Sequence, residues 1–127
     1  MTILPIYAAL LVLLFVALSV RTVRVRRRLK IAIGDAGDRE MLRAVRVHSN
    51  FAEYVPLALL AIYLVEVGGA PALLVHALGG GLLLGRVLHA VGVSRQREQF
   101  QYRVAGMLLT FAVLVVAAGT LLVTSLG

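Results

Sequence analysis

The residues able to do chemistry in this chain are concentrated in one run, Arg43-Ala44-Val45-Arg46-Val47-His48-Ser49-Asn50-Phe51-Ala52-Glu53-Tyr54-Val55-Pro56-Leu57. Here cations, an amide and a carboxylate lead directly into an apolar segment. On a helix turning 100° per residue, Arg46, Asn50, Glu53 and Leu57 share one narrow face, Ser49 lies beside it and His48 points away. Lipid cannot satisfy such a face. It must meet another helix, another subunit or a polar ligand. Arg46 and Asn50 are therefore ligand-contact candidates. Glu53 is expected to pair with Arg86 as an intramembrane ion pair, an arrangement compatible with a binding site around it.

Two further clusters carry polar chemistry. Arg86 and His89 are three apart and adjacent on a helix. A carbonyl-bonded interfacial histidine is the competing reading for His89. Tyr102 and Arg103 open the last apolar segment, where Arg103 serves either a ligand or membrane topology. Arg95 and Arg97 read as solvated or headgroup-facing charges, and His76 receives no role. Arg24, Arg46, Arg86, His89 and Arg103 all fall toward one side of the membrane. Arginine forks there suit carboxylates, and nearby cations favour ionisation of a thiol.

The elements that position these residues follow from composition. The chain has 127 residues, of which 61% are hydrophobic, and a formal charge of +7. An apolar share this high indicates an integral membrane protein. No cysteine is present, which removes disulfides, thiolate metal sites and cysteine nucleophiles, and no metal site is expected. Four apolar segments, over about 3–29, 39–67, 71–93 and 99–125, each approach the length needed to span a bilayer as a helix. Residues 1–127 therefore form a single all-α, four-helix transmembrane domain. Gly34, Asp35, Gly37 and Asp38 mark a loop, with Asp38 as the N-cap of the second helix. Pro56 predicts a kink between Ala52 and Pro56. Gly81 and Gly85 have the small-xxx-small spacing of close helix contacts.

Charge sets the expected orientation. Nine of the 13 basic residues lie between Arg21 and Arg46, and the other four between Arg86 and Arg103. The positive-inside rule then places both basic connections in the cytoplasm and both termini outside. This placement accounts for the arginines without nucleic acid. A small multidrug transporter has the right length, but the first apolar segment lacks the acid such transporters use.

The chain resembles the MAPEG superfamily, membrane-associated proteins in eicosanoid and glutathione metabolism, over nearly its whole length. Arg46-x-His48-x-Asn50-x-x-Glu53-Tyr54-x-Pro56 is similar to the signature of that family's second helix. Val23-Arg24-Val25-Arg26-Arg27-Arg28 resembles the end of its first helix, and Gly85-Arg86-x-x-His89 its third. Ile33-Gly34-Asp35 and Arg103-x-x-Gly106-Met107 resemble the bacterial branch. The resemblance implies a homotrimer in a bacterial inner membrane, among membrane lipids, with glutathione bound between subunits near the cytoplasmic face. By position, Arg24, Arg46, Asn50, Glu53 and His89 would contact glutathione. Arg103 would stand by its sulfur, as catalytic residue of a transferase or peroxidase for lipophilic electrophiles. Val93 departs from the tyrosine of eukaryotic members, and Ser49 from an arginine of others. Both departures reduce the expected polar contacts, and a non-catalytic glutathione- or lipid-binding scaffold of the same fold is the alternative.

Overall fold

The computed structural model describes residues 2–95, 97 and 99–127. Four helices account for nearly all of them: α1 (Leu4–Leu29), α2 (Arg39–Val67), α3 (Ala72–Ser94) and α4 (Phe100–Leu126). All four are long and apolar enough to cross a membrane, and the described residues contain no strand. The polar connection before α4 includes Gln96 and Glu98, which lie outside the described residues.

Helix ends follow local chemistry. Pro5 sits in the first turn of α1, where a missing N–H costs nothing. The carboxylate of Glu66, near the end of α2, accepts from the backbone N–H groups of Ile3 and Leu4. It places negative charge at the positive end of the α1 dipole. Lys30 closes α1 in the left-handed conformation, its N–H returning to the Arg26 carbonyl. Asp38 caps α2 by accepting from Met41 N–H at 2.9 Å. The α2 helix then continues through Pro56 to Val67.

The central pair is α2 and α3. The α1 helix packs on both, α4 packs on both, and α1 and α4 do not touch among the described residues. Leu11, Val47, Phe51, Val55, Ala58, Ile62, Leu78, Leu82 and Val113 fill the core. Many large apolar side chains face outward, including Leu13, Leu108, Val115 and Leu122. On a soluble monomer this surface would be a liability. On a membrane bundle it is the face suited to lipid.

The contact between α3 and α4 depends on glycine. A Cβ on Gly106 would lie 2.5 Å from the Gly85 carbonyl oxygen and 2.6 Å from the His89 nitrogen. A Cβ on Gly92 would lie 2.5 Å from the Arg103 nitrogen. The backbones therefore approach more closely than any side chain permits. The spacing of Gly81 and Gly85 is used inside one protomer, against Val113 and Thr110 of α4.

Candidate functional site

The close α3–α4 seam brings His89 and Arg103 together, and the α2 polar face completes a concavity at the basic end of the bundle. This cavity, of about 350 Å³, is lined by Arg39, Leu42, Arg43, Arg46, Asn50, His89, Val93 and Arg103. Its size falls within the ~300–1,000 Å³ of small-molecule sites. Among the described residues, four arginines line it and no carboxylate does. Arg46, Asn50, His89 and Arg103, expected from sequence, are thus assembled by three different helices. His89 is buried, with Arg86, Arg103 and Arg46 as its charged neighbours.

Arg86 departs from expectation. It does not pair with Glu53. The residue is only 2% exposed, and its guanidinium sits where α2, α3 and α4 meet. Nη1 donates to Asn50 Oδ1 at 2.5 Å, and Nη2 donates to Thr110 Oγ1 at 2.8 Å and lies 3.3 Å from the Met107 sulfur. The Tyr54 ring stands 5.9 Å from its central carbon, within cation–π range. The physical reason is rotation about the α2 axis. Asn50 turns toward the bundle interior, whereas Glu53 lies on the outward side with its side chain 52% exposed. The cation nearest Glu53 is Arg46, whose Nη1 lies 3.9 Å from Glu53 Oε1. Glu53 therefore stands beside the cavity without lining it.

Arg24 also stands apart. It lines a separate cleft with Ala17, Val20, Arg21, Val25, Arg28 and Glu40, where Arg28 and Glu40 form an ion pair. Within one chain it does not join Arg46 and His89. His48 points away from the cavity, as helical geometry requires. Its ring stacks on Phe15 at 4.9 Å between centroids, and Nε2 lies 3.0 Å from Ser19 Oγ. His48 thereby fastens α2 to α1.

Sequence reasoning overlooked Arg39 and Arg43 as lining residues. The signal was present, because Arg39, Arg43, Arg46 and Asn50 step by four, three and four and fall within about 60° of one helix face. Thr110 and Met107 gave no such signal, since their contact with Arg86 exists only once α3 and α4 are paired.

The four-helix membrane bundle agrees with what known relatives show. The MAPEG family model matches residues 4–123. Inner membrane protein YecN of Escherichia coli strain K12 is 37% identical over 109 residues, which cover 86% of this chain and 82% of that protein. The protein of the same name from E. coli O6:H1 matches equally. The chain belongs to the MAPEG family.

Proposed function

We propose that this protein is a membrane-bound glutathione-dependent transferase or peroxidase acting on lipophilic electrophiles. The observation that carries the reading is the cavity itself, lined by four arginines, an asparagine and a histidine, inside a MAPEG bundle. Glutathione carries two carboxylates and an ionisable thiol, the groups that such a donor-rich lining favours. Arg46, Arg39, Arg43 and His89 hold the carboxylates and Asn50 orients the tripeptide. Glu53, exposed beside Arg46, takes the amine. Arg103 favours the thiolate, which attacks an electrophile arriving laterally from lipid. The basic end faces the cytoplasm by the positive-inside rule.

The chain works as a homotrimer in this reading. Arg24 then reaches the cavity from a neighbouring copy, which explains its separation from Arg46 within one chain. Glutathione titrated calorimetrically into the purified protein is expected to bind, and absence of binding rejects the reading. Conjugation assays on membranes carrying Arg103→Ala are expected to lose most of their turnover. Unchanged turnover removes Arg103 from the mechanism. Sedimentation in detergent tests the trimer.

Val93 favours a second reading. It is buried in the cavity wall and offers the ligand only an alkyl face. A non-catalytic glutathione-binding scaffold would retain binding and show no turnover across a panel of electrophiles.

A further inference from the structure

Among the described residues no carboxylate pairs with the buried Arg86, and its hydrogen bonds form a chain whose direction is fixed throughout. Thr110 Oγ1 donates its single proton to the Gly106 carbonyl at 2.8 Å. Its lone pairs are thus left to accept from Arg86 Nη2. A guanidinium has five donors and no acceptor. The Asn50 atom facing Nη1 must therefore be the carbonyl oxygen. Turning the amide over would set N–H₂ against a buried, charged N–H donor and leave both unsatisfied, a heavily penalised arrangement. No described residue accepts from Asn50 Nδ2, and Asn50 lines the cavity.

We propose that Arg86 is a positioning residue that locks the Asn50 amide with its N–H₂ toward the cavity, so that this part of the site selects a hydrogen-bond acceptor carrying negative charge, a carboxylate or a thiolate. The inference deepens the glutathione reading and rests on it for the identity of the ligand. Arg86 itself need not touch that ligand. It acts through Asn50, and the lining arginines reinforce the same polarity because each of them can only donate.

Asn50→Asp isolates the effect. The substitution keeps an oxygen for Arg86 and replaces the N–H₂ toward the cavity with a second oxygen. Two measurements are made on the purified full-length protein: the melting temperature in detergent and glutathione affinity by calorimetry. The variant is expected to melt at or above the wild type, because the buried cation gains a carboxylate. Its affinity for glutathione is expected to fall roughly tenfold or more. Wild-type affinity in this variant overturns the proposal, and so does a lower melting temperature, since Arg86 would then not be holding an oxygen.

Arg86→Gln releases the lock, because its amide can turn either way. It is expected to weaken the preference for glutathione over its carboxamide analogue, whereas Arg86→Lys, still a pure donor, retains that preference. Equal discrimination by Arg86→Gln and the wild type counts against the proposal. If wild-type protein takes up no glutathione, the glutathione reading falls and inorganic phosphate becomes the probe. Phosphate that raises the melting temperature of the wild type more than that of Asn50→Asp supports the proposal. An equal rise in both, or in neither, overturns it.

Discussion

The two ends of the bundle treat their polar groups in opposite ways. At the end without lysine or arginine, polar side chains satisfy the fold itself. The Glu66 carboxylate caps the start of α1, and Tyr7 Oη lies 2.9 Å from His76 Nδ1, joining α1 to α3. At the basic end, α2, α3 and α4 direct arginines, an amide and a histidine into an open cavity with no acid among its described lining residues. Intramembrane polar groups are costly wherever they lie. The first end offsets that cost with internal partners. The second turns donors from three helices toward one cavity. The contrast is one of arrangement, because polar groups are present at both ends.

Four substitutions break or sharpen this contrast. Gly106→Ala has the largest expected effect, because a Cβ there meets backbone on α3. It should cost about 3 kcal/mol or more in stability and also abolish glutathione binding by displacing His89 and Arg103; thermal melts paired with calorimetry read both. Arg46→Ala should weaken glutathione binding roughly tenfold to a hundredfold while the melting temperature of the unliganded protein holds. A large loss of stability would instead make Arg46 a structural residue and erase the contrast. Glu66→Gln, at the opposite end, should cost about 1 kcal/mol of stability, with glutathione affinity unaltered. Tyr7→Phe should lower stability by about 0.5–1 kcal/mol, again without effect on binding. An affinity change in either of these last two variants would show that the ends are not independent.

Legibility from sequence followed the range of the interactions. The four spans are visible because apolar length is a local property. Asp38 as a cap and His48 turned from the polar face follow from one helix considered alone. The Arg86–Glu53 pair failed for a different reason. Depth along two helices can be estimated from sequence, but the rotation of each about its axis is set by packing. That rotation brings Asn50 inward and leaves Glu53 outside. Arg24 shows the same limit, since charge patterning assigns it to an end of the bundle and not to a side. The glycines were recognisable as close-contact residues. That the contact lies between α3 and α4, and that it sets His89 against Gly106, required the assembled bundle.

The glycine seam has a mechanical consequence. With backbone against backbone, and the Gln99 N–H donating to the Gly92 carbonyl at 3.1 Å, α3 and α4 behave as one stiff plank at the basic end. The polar run of α2 meets this plank through the Asn50–Arg86–Thr110 thread and through Tyr54, whose ring faces Arg86 and Phe111. A molecule gripping Arg46 on one side and Arg103 on the other is therefore a cross-brace. It ties the plank to its neighbour, and its binding free energy adds to the rigidity of that end by mass action. Amide exchange at the start of α2 should slow when the brace is in place, while the far end of the bundle exchanges as before.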